Sequence, residues 1–359
     1  MSEPEIHPLT ANMVNVGITT GALFDMREAD NIYRTKGLRA YIDHMQATKD
    51  IPLRPGHAFN FVASASRINR DIGDAFISFR ILSRNDIAAA ERVANSLNYY
   101  KLQTSGALYN VPPVPFLKDT NIDWFITTNP EDAAQALANG IAACSIDSPL
   151  SNTKITLAFN RHGNAKRIGL ELPRYCEDET LLGQPRIHMV YDLDQTALNG
   201  ESDAVARTQG VQKYFKHETE KFDVLIGEGP FFKIASKFSR CIEHFEKDGG
   251  KSPLIHSVAT IRGGAGSLRA VKTVNGHHLR INGAFMALGC GLPREGEISF
   301  VNPLQKDGPI KTLITLPEYQ DAAALFLDDS ASTIEKTKKV CPSGLVPGMG
   351  AVSWGTQPK

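Results

Sequence analysis

The chain has 359 residues, which is long enough to bury a large core and favours two domains over one. Hydrophobic residues make up 42% and charged residues 22%, as in ordinary soluble globular proteins. Basic and acidic residues number 39 each, so the formal net charge is zero. Because nucleic-acid backbones are bound by clustered Lys and Arg, and the sequence has no basic run, a nucleic acid is not expected as the main partner.

The N-terminus and the cysteines predict a cytoplasmic protein. Residues 1–5 are acidic and contain a proline, without the apolar stretch of a signal peptide. No apolar run approaches the roughly 20 residues needed to cross a bilayer, so no membrane association is expected. The 5 cysteines are widely spaced and form no CxxC pair, which favours reduced thiols over a disulfide framework or a zinc site.

The first 150 residues alternate between predicted strands and predicted helices. Strands are predicted at 13–20, 76–82, 123–127 and 141–144, and helices at 28–46, 58–70, 88–97 and 131–138. Residues 111–117 contain three prolines and are predicted to be irregular. Such alternation predicts a mostly parallel sheet with helices on both faces.

The alternation stops near residue 150 and restarts at residue 187. A strand is predicted at 153–159, but residues 160–183 are polar and aperiodic, and no role is assigned to them. The later pattern is predicted as a helical stretch at 204–247, a helix at 267–274, and strands at 254–259, 285–288 and 324–327. The chain is therefore divided into an N-terminal α/β half (1–150), a connecting excursion (151–186) and a C-terminal half (187–359).

The two halves resemble each other. In each, one strand leads to an aspartate, and a later strand ends at a hydroxyl residue followed by an arginine; these residues are Asp25, Ser83 and Arg84, and Asp192, Thr260 and Arg262. We hypothesise that the first half is a degenerate copy of the second, kept for substrate binding or packing. Two unrelated α/β layers are the alternative, and different strand orders in the two halves would exclude the copy.

The most informative segment is the run HMVYDLDQTAL at residues 188–198. It predicts a strand that ends by presenting Asp192 and Asp194. Side chains at i and i+2 of an extended segment point the same way, so both carboxylates can face one reaction centre. One can act as nucleophile and the other as proton shuttle in phosphoryl transfer. Short Asp-x-Asp motifs also occur in surface loops and as plain metal ligands.

Three further polar groups follow at or near predicted strand ends. They are Thr260 with the glycine-rich turn 263–266, a lysine (Lys306 or Lys311), and the pair Asp328-Asp329. In open α/β sheets ligands bind at this carboxyl edge. The glycine-rich turn opens a helix, whose N-terminal N–H groups favour an anion.

The ordered set of Asp-x-Asp, Thr, Lys and Asp-Asp resembles the haloacid dehalogenase superfamily of phosphotransferases and phosphatases. More narrowly, the segments GALFDMRE at 21–28, NGES at 199–202 and FLDD at 326–329 look like motifs of the cytosolic 5′-nucleotidase I family. The similarity runs through about residues 14–145 and 187–355. Members of that family are magnesium-dependent enzymes that hydrolyse nucleoside 5′-monophosphates.

The resemblance implies a fold, catalytic roles and a metal site. The fold would be an α/β, haloacid-dehalogenase-like Rossmannoid parallel sheet with a helical cap inserted at about 198–252. Asp192 would form an aspartyl-phosphate, and Asp194 would protonate the departing ribose 5′-oxygen and then deprotonate water. Thr260 and the lysine would hold phosphate oxygens. The Mg²⁺ ligands would be Asp192, Asp194, Asp328 and Asp329.

The lysine is the least defined of these residues. Lys306 is favoured because the segment GPI follows at 308–310, but Lys311 and Arg294 compete for the role. The chain also departs from the family at Leu193, where glycine is more frequent.

Four residues are predicted to bind substrate. Asp25 lies in the family motif, Arg84 and Asn85 follow a strand of the first half and would contact ribose or phosphate across a cleft, and Arg262 follows Thr260. Helix capping is the alternative for the first three.

The sequence thus predicts a cytoplasmic, Mg²⁺-dependent 5′-nucleotidase acting on nucleoside monophosphates. A nucleoside phosphotransferase, a phosphatase for another small metabolite and an inactive nucleotide-binding protein are the alternatives. Homo-oligomers are expected from the resemblance alone. Base preference and regulation are not predicted.

Overall fold

The computed structural model describes residues 8–146, 175–289 and 305–348. Its centre is one sheet of ten strands in the order β3-β2-β1-β4-β5-β10-β9-β6-β7-β8. All neighbouring strands run parallel except β5 and β10, which are antiparallel. The predicted α/β class with a mostly parallel sheet is confirmed.

The strands are short, and most are buried along their length, as expected for a sheet covered on both faces. Their bounds are β1 Val14–Ile18, β2 Ile77–Leu82, β3 Ala107–Leu108, β4 Trp124–Thr127, β5 Ala142–Ile146, β6 Arg186–Tyr191, β7 Leu254–Thr260, β8 Phe285–Ala287, β9 Ala322–Asp328 and β10 Ser343–Leu345.

The helices connect successive strands and cover the sheet. Their bounds are α1 Pro8–Ala11, α2 Thr20–Leu23, α3 Arg27–Ala47, α4 Phe59–Ile72, α5 Ala88–Tyr99, α6 Pro130–Ala138, α7 Glu201–Gln209, α8 Val211–Glu220, α9 Phe232–Glu246, α10 Gly264–Gly276, α11 Asp307–Thr315 and α12 Ala331–Thr337. Helix α3 is kinked at Gly37, whose φ of 81° is accessible to glycine at little cost.

The two halves of the chain have the same strand order. Counted from its own first strand, each half reads 3-2-1-4-5, and the halves meet where β5 pairs with β10. Because this one pair is antiparallel, the carboxyl ends of β1–β5 lie at the opposite edge of the sheet from those of β6–β10. The sheet therefore has two carboxyl edges, which face in opposite directions. In parallel α/β folds, ligands bind at edges of this kind.

Local hydrogen bonds repeat along with the topology. After β2, the hydroxyl of Ser83 accepts a hydrogen bond from the Asn85 N–H at 3.1 Å. After β7, the hydroxyl of Thr260 accepts one from the Arg262 N–H at 3.2 Å. The matching strand orders and turns support the hypothesis of a degenerate copy.

A shared core joins the halves. Helix α4 of the first half contacts β6 and β9 of the second, and α9 of the second half contacts β1 of the first. At this junction Trp124 meets Phe231 edge-on, with ring centroids 5.6 Å apart. Lys237 of α9 donates to the carboxylate of Asp123 at 2.6 Å. Helix α9 packs against β1 and β7 of the sheet, which leaves α7 and α8 as the helices of the predicted cap segment that could form a cap. The cap itself stays a prediction.

The predicted strands and helices within the described residues are present, with ends shifted by a few residues. The proline-rich segment 111–117 contains a 3₁₀ turn at Val114–Phe116, because proline is tolerated where no backbone donor is needed. Helices α1, α2, α11 and α12 and strands β3 and β10 were not predicted. The predicted strand at 153–159 lies outside the described residues.

Among the described residues, no helix combines the length and apolar character required to cross a membrane.

Candidate active site

Strand β6 delivers Asp192 to the carboxyl edge of the second half. This strand lies between β9 and β7, so the residues that end those two strands flank Asp192. Tyr191 pairs with Leu327 of β9, which brings Asp192 level with Asp328. The N–H of Asp192 donates to the carbonyl of Leu327 at 2.8 Å and fixes the backbone there.

The chain turns abruptly after Asp192. Residues Leu193–Ala197 form a single wide turn in which Asp194 and Gln195 depart from helical geometry. Gln195 has a φ of 54°, a strained conformation for a residue with a side chain. Wide turns and strained residues of this kind are concentrated at functional sites.

Three carboxylates converge at this edge. One oxygen each from Asp192, Asp328 and Asp329 lies within 4.8 Å of the others. Hard cations such as Mg²⁺ prefer oxygen ligands and usually keep several waters, so two or three carboxylates are a suitable set. The group can therefore hold a divalent metal ion. The carboxylate of Asp194, also predicted as a ligand, does not belong to it.

Lys306 contacts two of these acids. Its Nζ lies 2.8 Å from Asp192 and 2.7 Å from Asp328, and the side chain is buried. Burial alone would lower the pKa of Lys306, but the attraction of both carboxylates outweighs burial and raises the pKa. Lys311 lies on the exposed side of α11, and Arg294 lies outside the described residues. Of the two described lysines, only Lys306 contacts this group.

Burial and charge repulsion raise the pKa values of two acids in the group. The pKa of Asp192 is raised chiefly by burial, opposed by Lys306 and reinforced by Asp328. The pKa of Asp329 rises to about 6 through burial, with repulsion from Asp328 next in importance. A divalent ion held between these carboxylates would oppose both shifts, because its positive charge stabilises the ionised form of each acid.

Thr260 ends β7 beside Asp192 and is fully buried. Its hydroxyl accepts the Arg262 N–H, and the glycine-rich turn that follows leads directly into α10. The free N–H groups at the start of this helix and the hydroxyl are suited to an anion at the same edge.

Arg262 differs from its predicted role. It is only 2% exposed, and its guanidinium donates two hydrogen bonds to Asp194, at 2.9 and 2.6 Å. A third hydrogen bond, at 2.9 Å, reaches Glu218 of α8. Arg262 is therefore occupied by protein carboxylates, and the prediction that it binds substrate directly does not fit this geometry.

Two buried residues near Arg262, Glu218 and Arg269, were given no role from the sequence. Glu218 is inaccessible to solvent and accepts hydrogen bonds from Arg269 at 3.0 Å and from the hydroxyl of Ser202. Each is a polar residue on the inward face of a helix, a pattern that signals a buried ion pair. That pattern was the available signal in the sequence, but it does not identify the partners.

A second set of hydrogen bonds holds Asp329. The side-chain amide of Gln195 donates to Asp329 and to Asp203, each at 2.8 Å. Arg207 of α7 lies 3.3 Å from Asp329 and 2.8 Å from Asp203. Helix α7 is thus connected to the acidic group through its own side chains.

The three predicted substrate residues of the first half lie at the opposite edge of the sheet. Arg84 and Asn85 follow β2, which is six strand positions from β6. At roughly 4.8 Å a position this is about 29 Å, in addition to the reversed strand direction. Arg84 pairs with Asp132 at 2.5 Å, and Asp25 accepts the N–H of Arg27 at the start of α3. Because β5 and β10 are antiparallel, these residues do not share an edge with Asp192 within the described chain, and their role in substrate binding stays a prediction.

Comparisons with known proteins identify the family of the chain. A family model described as 5′-nucleotidase matches residues 7–163 and 175–303. The human protein named cytosolic 5′-nucleotidase 1B is 22% identical over 297 residues, which cover 79% of this chain and 44% of that protein. The chain thus spans less than half the length of that relative. No solved structure matches the chain. Since the family model covers most of it, the chain belongs to the 5′-nucleotidase family.

Proposed function

We propose that this chain is a Mg²⁺-dependent 5′-nucleotidase that hydrolyses nucleoside 5′-monophosphates through an aspartyl-phosphate on Asp192. The main support for this proposal is that buried Asp192 contacts Lys306 and lies in one group with the carboxylate oxygens of Asp328 and Asp329. Lys306, Asp328 and Asp329 lie beyond the residues matched by the family model, so geometry alone supports their roles.

The central problem for the reaction is charge. A phosphate dianion approaching three carboxylates is repelled, and Lys306 supplies one compensating positive charge at the nucleophile. A bound Mg²⁺, held by Asp192, Asp328 and Asp329, would supply the remaining positive charge and polarise the phosphate oxygens. Thr260 and the N–H groups of the turn before α10 would orient the phosphate so that an oxygen of Asp192 faces phosphorus.

In the first half-reaction an oxygen of Asp192 bonds to phosphorus as the bond from phosphorus to the ribose 5′-oxygen breaks. Asp194 donates its proton to that oxygen, and the nucleoside leaves. In the second, water attacks phosphorus, the bond to Asp192 breaks, and Asp194 takes a proton from the water. Inorganic phosphate leaves, and both aspartates return to their starting states.

The cellular setting is part of the proposal. The similar human protein is named cytosolic, and the four cysteines among the described residues, Cys144, Cys176, Cys241 and Cys341, are all free and buried. We propose that this chain works in the cytoplasm, and that it forms homo-oligomers.

The test is phosphate release from a panel of nucleoside monophosphates, with and without Mg²⁺. Wild type should release phosphate only with the metal, and Asp192→Asn should release none while still binding substrate. Asp223→Asn, a change to an exposed surface aspartate, is the matched control and should behave as wild type. Activity in Asp192→Asn would overturn the mechanism, and no release by wild type would favour an inactive nucleotide-binding protein. Transfer of phosphate to an added nucleoside in preference to water would indicate a phosphotransferase.

A further inference from the structure

We propose that Arg262 and Glu218 are positioning residues that fix the orientation of Asp194 and thereby control protonation of the leaving group. This inference rests on the proposed function, in which Asp194 is the acid. It assigns a task to a buried ion-pair network that connects α8 to the active-site turn.

The first link is the pair of hydrogen bonds from Arg262 to Asp194. Nε and Nη2 donate to the two different oxygens of the carboxylate, at 2.9 and 2.6 Å. Such a two-point contact fixes the plane of a carboxylate as well as its position. A single hydrogen bond constrains the orientation of the carboxylate less than two do.

The second link fixes Arg262 itself. Its third nitrogen, Nη1, donates to Glu218 at 2.9 Å, so the guanidinium is held from both sides. Glu218 is held in turn by Arg269 at 3.0 Å and by the hydroxyl of Ser202. Arg262, Arg269 and Glu218 are all nearly inaccessible to solvent, so these side chains have little freedom to move.

Partners and charge explain why the role is positioning. The guanidinium of Arg262 already donates to Asp194 and Glu218, and Glu218 is an acid that a phosphate would repel, so neither is assigned a contact with the reacting phosphate. Replacing a buried ion pair with apolar residues is often neutral or stabilising, so stability alone does not account for a network of four charges. Two charges of each sign, on Asp194, Glu218, Arg262 and Arg269, balance one another. The network ends on the one carboxylate that must change its protonation state in each half-reaction.

The geometry is compatible with the proton transfers. When Asp194 carries the proton, one oxygen becomes a donor, while the other still accepts a hydrogen bond from Arg262. As the phosphorus–oxygen bond breaks, the proton moves to the ribose oxygen, and the second hydrogen bond from Arg262 re-forms. Arg262 therefore keeps at least one hydrogen bond to Asp194 throughout, and both whenever Asp194 is ionised, without itself exchanging a proton.

The test compares two substrates that differ in their need for an acid. One is the nucleoside monophosphate that wild type hydrolyses best, and the other has sulfur in place of its 5′-bridging oxygen. A thiolate leaves without protonation, because thiols are far stronger acids than ribose hydroxyls. The measured quantity is kcat/KM, which reports formation of the phosphoenzyme and excludes its hydrolysis.

Asp194→Asn removes the acid and gives the largest effect expected. It should reduce the ratio of kcat/KM for the oxygen substrate to kcat/KM for the sulfur substrate by about 10²–10⁴. Glu218→Gln should reduce that ratio by about tenfold, with the sulfur substrate changed less than about twofold. Arg262→Lys keeps the charge but loses the two-point contact, and it serves as the second variant should Glu218→Gln fail to fold. Glu201→Gln is the control, because Glu201 is 4.0 Å from Arg269 at the rim of the network and should leave the ratio unchanged.

Equal losses on both substrates in Glu218→Gln and Arg262→Lys would overturn the inference and indicate a purely structural network. A reduced ratio in Asp194→Asn but not in these two variants would do the same. Failure of the proposed function is distinguishable, because wild type would then release no phosphate from any nucleoside monophosphate.

Discussion

The ammonium of Lys306 lies 2.8 Å from the carboxylate of Asp192, deep in the carboxyl edge of the sheet. Replacing Lys306 with Met should lower kcat/KM by about 10²–10³, because an incoming phosphate would lose one preorganised positive charge. Lys311→Met is the matched control, since Lys311 is exposed on the helix that Lys306 precedes. Comparable losses in both variants would contradict the assignment of Lys306. Initial rates of phosphate release at saturating Mg²⁺ provide the measurement.

The acidic group makes a separate prediction about metal affinity. Asp328→Asn should weaken binding of Mg²⁺ or Mn²⁺ by about tenfold or more, because one charged oxygen ligand is lost. Binding can be measured by calorimetry without substrate, which separates affinity from turnover. Asp321→Asn, at a partly exposed aspartate just before β9, should leave affinity unchanged. Unchanged affinity in Asp328→Asn would place the metal elsewhere.

Residues at the opposite edge of the sheet should not contribute to catalysis. Arg84→Ala removes a half-exposed ion pair with Asp132, so we expect a loss of unfolding free energy of about 1 kcal/mol or less. Both kcat and KM should stay within about twofold of wild type, because β2 ends far from Asp192 and faces the other way. Steady-state kinetics alongside urea unfolding test this expectation. A large rise in KM would mean that Arg84 reaches substrate after all.

Two buried histidines predict acid sensitivity. Burial lowers the pKa of His188 to about 4, and burial together with nearby His188 lowers that of His256 to about 3. Below the ordinary pKa of about 6.5 the unfolded chain binds protons that the folded chain does not, so stability falls as pH falls. At pH 5, which is about 1.5 pH units below that ordinary pKa, each histidine should lower the free energy of unfolding by about 2 kcal/mol.

Urea unfolding at pH 7 and pH 5 measures this loss. His256→Gln should reduce the difference between the two pH values by about 2 kcal/mol, because one titrating group is removed. His278→Gln, at an exposed position, should not change the difference. An unaltered difference in His256→Gln would show that His256 is already accessible to protons in the folded state.

The elements that carry Asp192, Thr260 and Asp328 could be predicted from the sequence because each strand is mostly apolar and ends in polar residues. The edge of the sheet at which Arg84 lies could not be predicted from the sequence. It depends on β10, a strand of three residues that pairs with β5 across some two hundred positions of the chain. A local hydrophobic pattern does not record the direction of such a pairing.

Arg262 shows a similar limit. The sequence shows that Arg262 lies two residues after Thr260, but it does not show which way the side chain of Arg262 points. Its orientation is decided by Glu218, which lies 44 positions earlier on α8. The helical position of Glu218 can signal a buried charge, but only the fold identifies Arg262 as its partner.

The antiparallel junction of β5 and β10 also has a practical consequence. A fluorophore, an affinity handle or a surface tether attached near Thr128 would sit on the far rim of the molecule and leave the route to Asp192 open. The same chain can thus be immobilised in a defined orientation with its reactive rim turned toward the solution.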